Sequence, residues 1–184
     1  MTYNPDIHHR RSIRLKEYDY SQNGAYFVTL CMFQRECLLG DMSVSSELYG
    51  MAINEFGRLV DLTWHDLPNH NKNIMLDQFV IMPNHVHGIV MIGNDQVNLD
   101  NGAGLEIRAG LQPAPTLSEI IRQFKTFSAK RINQLRKNPG CPVWQRNYYE
   151  RVIRNENELA RAREYIVNNP MKWALDKENP VNTV

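Results

Sequence analysis

The sequence predicts an α+β domain: a ferredoxin-like antiparallel sheet with helices on one face and one added C-terminal helix. Three observations predict it. Short β-branched and aromatic runs are interleaved with segments of helical periodicity, two central runs are joined by a turn dipeptide, and a last helical segment follows the last strand. At 184 residues, 42% hydrophobic and 22% charged, the chain suits one folded core. Residues 1–184 are therefore read as a single domain, with peripheral tails at 1–25 and 174–184.

The elements follow in order. Residues 26–33 (YFVTLCMF) read as a first strand. Ser45 and Ser46 offer a cap to a helix in which Leu48, Met51, Ala52, Phe56, Leu59, Val60 and Leu67 recur at helical spacing until Pro68. Residues 75–82 and 86–92 form a hairpin about Pro83-Asn84. Residues 93–115 carry Gly, Asn, Asp and Pro without periodicity and read as a long flexible loop. Thr116-Leu-Ser-Glu119 is a capping box opening an amphipathic helix that ends before Pro139-Gly140. VWQRNYYERVI (143–153) reads as a strand with one polar face. Asn155 and Glu158 resemble a second capping box, and Pro170 stops the helix they open. Six of these elements match the split βαβ arrangement of a ferredoxin-like sheet.

Composition narrows the function classes. The polar start MTYNPDIHHRR has no signal-peptide core and no apolar run approaches the roughly 18 residues a membrane span needs, so a cytoplasmic protein without membrane partners is expected. Cys31, Cys37 and Cys141 are odd in number, lack metal-knuckle spacing and are expected as buried reduced thiols. The net charge is only +1, but residues 122–172 hold twelve Lys or Arg against four Glu. With Arg10, Arg11, Arg14 and Lys16, that asymmetry points to a polyanionic partner. Candidate contacts are Arg10, Arg11, Arg14, Arg122, Lys125, Lys130, Arg131, Arg146, Arg154 and Arg161. Gln145, with Trp144 and Arg146, can line the same path.

His85 and His87 are two residues apart on a strand, so both imidazoles point to one face, roughly 6–7 Å apart at Cα. Alone, such a pair also fits a structural role. The apolar flanks Phe79, Val80, Ile81, Val86, Ile89 and Val90 place it in a central strand, where two unpaired rings are costly to bury. A shared metal ion or another buried partner is expected. A histidine-triad nucleotide hydrolase would need a third histidine where Ile89 stands. Near the end of the last helix, Tyr165 and Asn169 are four residues apart and share a face. By themselves they read ordinarily as a core or rim tyrosine and a helix-ending residue, and neither would be singled out.

Together these residues carry a resemblance. His85-Val86-His87 is similar to the His-hydrophobic-His signature of HUH nucleases, and Tyr165 with Asn169 falls where single-tyrosine transposases carry a nucleophile and a polar metal ligand. MPNHVHGIV, VWQRNYYERVI and REYIVNNPMKW resemble the REP-associated tyrosine transposases, from about Tyr26 to Trp173. The resemblance implies cleavage and rejoining of single-stranded DNA at or near hairpin elements. It further implies Tyr165 as catalytic residue, Mg²⁺ or Mn²⁺ held by His85, His87 and Asn169, a 5′-phosphotyrosine intermediate and a bacterial, nucleoid-associated setting. Arg161, one turn before Tyr165, would favour its phenolate, contact phosphate or simply face water. A monomer is favoured over a homodimer that exchanges the tyrosine helix. Many insertion-sequence relatives have glutamine where this chain has Asn169. The alternative reading is a domesticated hairpin-binding protein without cleavage activity.

Overall fold

The computed structural model describes residues 23–44, 49–93, 115–176 and 179–182. Its centre is a four-stranded antiparallel sheet of β1 (Gly24–Cys31), β4 (Ile74–Ile81), β5 (His85–Ile92) and β6 (Tyr149–Ile153), in the order β4-β5-β1-β6. A separate two-stranded ribbon pairs β2 (Gly40–Val44) with β3 (Tyr49–Ile53). The helices are α1 (Glu55–His65), the one-turn α2 (Leu67–His70), α3 (Leu117–Leu135) and α4 (Glu156–Asn168). No helix among the described residues is long and apolar enough to cross a membrane.

Strand alternation sorts the side chains into two layers. Tyr26, Val28 and Leu30 of β1, with Val86 and Val90 of β5, face α1 and α3 and join Trp64, Ile120 and Phe124 in the main core. Position 88, on that same face, is glycine because a Cβ there would come within 2.4 Å of the Trp64 indole, which stacks on Phe79. The opposite face packs Ile89, Ile153, Leu159 and Ile166 into a smaller cluster. The expected sheet with helices on one face is thus present, and the added α4 covers the other face.

Caps explain where the helices begin. Thr116 and Glu119 form a reciprocal capping box on α3. Asn155 accepts from the Glu158 amide on α4, whereas the Glu158 carboxylate reaches the Arg154 amide and so does not close a full box. At the other end of α4, the proline after Asn169 marks the change to a 3-10 turn, Pro170–Leu175.

Three expectations need correction. The helix expected from Ser45 and Ser46 onward starts only at Glu55, where Asn54 accepts from the Gly57 amide at 3.0 Å. Residues 49–53 are a strand instead, since over so short a run the apolar spacing of Met51 and Ala52 suits either period; Ser45 and Ser46 lie outside the described residues. The strand expected over 143–153 forms only at Tyr149–Ile153, with Trp144 making an isolated bridge to Met32. Lys125 donates to the Gln145 and Asn147 carbonyls at 2.8 and 2.9 Å and so takes up backbone acceptors between those two parts. The three cysteines form no disulfide, as expected, but Cys37 is exposed and Cys31 and Cys141 are only partly buried. Most of the expected loop, residues 94–114, and the 1–22 segment with Arg10, Arg11 and Arg14 lie outside the described residues.

Candidate active site

The sheet register assembles the site. β5 pairs with β1 so that Thr29 lies opposite His87 and Cys31 opposite His85. His85 is fully buried and His87 is 3% exposed, with their Nε2 atoms 3.0 Å apart. His85 Nδ1 donates to Asn84 Oδ1 at 2.8 Å, while the Asn84 amide donates to the Arg35 carbonyl at 3.2 Å. An amide oxygen can only accept, so the His85 proton sits on Nδ1 and Nε2 presents a lone pair. Thr29 Oγ1 lies 2.8 Å from His87 Nδ1. A hydroxyl can donate or accept, so His87 can turn either a proton or a lone pair toward His85.

The third face comes from the C-terminal end. Leu159, Ala162 and Ile166 of α4 pack on the sheet, which leaves Tyr165 at the edge of that contact, 42% exposed. Its ring meets His87 edge-on with centroids 5.2 Å apart, and Phe27 stacks on His87 at 5.4 Å. Four residues on, Asn169 is 2% exposed and its side-chain oxygen has no hydrogen-bond partner. The 3-10 turn then seats Trp173 beside His85, ring centroids 5.9 Å apart, and delivers Asp176 Oδ2 to 3.9 Å from His85 Nε2. His85, His87 and Asp176 form a group whose ligand atoms all lie within 4.8 Å of one another. Two imidazoles and a carboxylate in a largely buried niche are a donor set that fits a divalent cation.

Beside this niche runs a cleft of 680 Å³. Phe27, Thr29 and Cys31 of β1 and Tyr149, Arg151 and Ile153 of β6 line its floor, and Glu158, Arg161, Ala162 and Tyr165 of α4 its wall; Arg35, Gln145, Asn147, Tyr148 and Asp176 line it as well. His87 opens onto the same space. Tyr149, the first residue of β6, is 54% exposed, while Tyr148, just before the strand, packs against the main core.

No protein-family model matches the sequence. A Haemophilus influenzae protein described only as an "Uncharacterized protein" is 42% identical over 180 residues, spanning 95% of this chain and 96% of that one. A second Haemophilus influenzae protein, "Putative REP-associated tyrosine transposase", is 27% identical over 155 residues, covering 84% of this chain and 74% of its own length. The fold matches a solved REP-associated tyrosine transposase bound to a REP hairpin, with a TM-score of 0.54 and 18% identity, over 89% of this chain and 77% of that one. This chain is thus similar in sequence to a protein named as a putative REP-associated tyrosine transposase and shares the fold of a solved one.

The fold gathers some expected site residues and leaves others apart. His85, His87, Tyr165, Gln145 and Arg161 meet at or beside the cleft, and Asn169 lies one helical turn beyond Tyr165. Arg146 and Arg154 are exposed outside the cleft lining, while Arg122 and Lys130 border two other surface depressions. Two expected DNA contacts have structural duties. Lys125 straps the loop between Trp144 and Tyr149, and burial pushes its ammonium down to about 8. Arg131 donates to Thr63 Oγ1 at 2.8 Å and reaches Asp66 Oδ2 at 3.4 Å, joining α3 to the end of α1.

Sequence reading missed Asp176, Asn84 and Thr29 as parts of the site. Asn84 carried a signal, since it adjoins the histidine pair. Asp176 and Thr29 carried none, because only the chain's return to β5 and the β1–β5 register bring them there.

Proposed function

We infer that this chain is a metal-dependent strand transferase that cleaves and rejoins single-stranded DNA at or near hairpin elements through Tyr165. One observation carries the reading: a tyrosine from the last α-helix stands 5.2 Å, ring to ring, from His87 of a buried histidine pair, at the edge of one open cleft. The relatives add to it, one by its name and another by the hairpin it holds.

A divalent ion, Mg²⁺ or Mn²⁺, held by His85, His87 and Asn169 would polarise the scissile phosphate as a Lewis acid and offset charge in the transition state. Asn84 leaves a lone pair on His85 Nε2 that such an ion would use, and Thr29 holds the His87 ring by its Nδ1. The Tyr165 oxygen attacks phosphorus, the P–O3′ bond breaks, and the tyrosine becomes joined to the 5′-phosphate. The phenol proton is lost and the departing 3′-oxygen takes one up, so the free 3′-hydroxyl can reverse the exchange without ATP. Arg161, one turn back on α4 and facing the cleft, favours the phenolate by its charge. Tyr149, 54% exposed, offers a flat face on which unpaired bases can stack, and Arg151 and Arg161 supply positive charge along the same floor and wall. A duplex leaves few bases open to such faces, which is why single strands and hairpin ends are the favoured substrate.

The reading predicts that the protein with Mn²⁺ cleaves labelled hairpin-bearing single strands and that Tyr165→Phe does not. Both should bind the hairpin with affinities within a few-fold. Tight binding by wild type with no cleavage under any divalent ion would leave only hairpin recognition.

A further inference from the structure

We propose that Asp176 is the anionic protein ligand of the metal centre, and that binding the ion clamps the segment Pro170–Asp176 onto the sheet. The inference rests on the metal reading of the His85–His87 pair and adds a ligand to it from the far side of the tyrosine helix.

Charge favours a carboxylate at this centre. Two neutral imidazoles and an amide leave a dication with its full charge, in a niche where His85 is fully buried and His87 nearly so. Holding such a charge away from water is costly without a counter-charge. The Asp176 side chain is 7% exposed and its carboxylate lies 3.9 Å from His85 Nε2, beyond hydrogen-bond length. Atoms bound to one ion at about 2.1 Å can stand up to about 4.2 Å apart. The 3.0 Å between the imidazoles and the 3.9 Å to Asp176 both fall within that reach. Mg²⁺ and Mn²⁺ favour oxygen donors, which the two histidines do not supply.

Placement favours it as well. Asp176 is fastened rather than trailing: its amide donates to the Trp173 carbonyl at 3.0 Å, and Asn182 donates to the carbonyls of Ala174 and Asp176 at 2.8 and 2.9 Å. Asn179 is buried and donates to the Trp173 carbonyl. The turn packs against both β3 and α4. An ion tying Asp176 to His85 and His87 therefore ties the end of the tyrosine helix to β5, and coupling of ligand binding to local order follows.

The test is Mn²⁺ titration of the full chain without DNA, by calorimetry and by the electron-spin signal of unbound Mn²⁺, with hydrogen exchange read on residues 170–176. Wild type should bind Mn²⁺ and gain protection across that segment. Asp176→Asn, nearly the same shape, should weaken Mn²⁺ on the order of tenfold or more and abolish the gain, while its far-UV spectrum stays that of wild type. Wild-type Mn²⁺ affinity in Asp176→Asn, with His85→Ala abolishing binding, would overturn the role of Asp176 and leave the histidine centre standing. No Mn²⁺ binding by wild type would overturn the centre itself. Should Asp176→Asn fail to fold, the wild-type exchange decides: Mn²⁺ that binds without protecting residues 170–176 refutes the clamp.

Discussion

Asn84 Oδ1 accepts from His85 Nδ1 at 2.8 Å while the Asn84 amide donates to the Arg35 carbonyl, so one side chain fixes both the ring and the tautomer of His85. Partners of this kind hold metal-binding imidazoles with their lone pairs aimed at the ion. Asn84→Ala should weaken Mn²⁺ roughly 10- to 100-fold and shift the His85 ring nitrogens in a ¹⁵N spectrum away from an Nδ1–H pattern. Unchanged affinity together with an unchanged tautomer would show that Asn84 only fills space.

Lys125 gives the fold a specific pH response. Burial lowers its folded value to about 8 from the ordinary 10.5, so the penalty of keeping it charged is fully present below pH 8. Between pH 8 and 10.5 the unfolded chain holds the proton that the folded chain has released, and stability rises with pH. Against Lys125→Met, wild type should gain roughly 1–3 kcal/mol across that window, measured by denaturant unfolding at both ends. A relative loss would mean that the charged form is the one favoured by the fold.

The basic residues divide by what their side chains already hold. Arg161 faces the cleft and Arg154 is exposed, whereas Arg131 is engaged with Thr63 and Asp66. Arg154→Ala with Arg161→Ala should flatten the salt dependence of hairpin binding, by about 0.7 in log–log slope for each phosphate left without its cation. Arg131→Ala should leave the slope alone and lower the melting temperature. The reverse pattern would place the DNA on the α3 side of the molecule.

Much of the fold and site is legible in the sequence because the informative residues are local. His85 and His87 sit two apart on one strand, Tyr165 and Asn169 four apart on one helix, and Thr116 with Glu119 caps a helix within a single turn. What stays hidden depends on long-range return of the chain. Thr29 reaches His87 only through the register of β1 on β5, and Asp176 reaches His85 only because the turn after Pro170 folds back over the site. In sequence, Lys125 and Arg131 look like free cations in a basic stretch, since nothing local reveals that two loop carbonyls or a neighbouring helix will hold them. The β3 segment reads as helix because Met51 and Ala52 suit both periods, and its partner strand is what decides.

The central claim is that Tyr165 attacks the phosphate at the His85–His87 centre. Its most direct test is to incubate the protein with a labelled hairpin-bearing single strand and Mn²⁺, trap the covalent adduct, and map it by peptide mass. The account predicts one adduct, on the peptide containing Tyr165, absent from Tyr165→Phe and from His87→Ala. An adduct on Tyr148 or Tyr149, or one that persists in Tyr165→Phe, would contradict it.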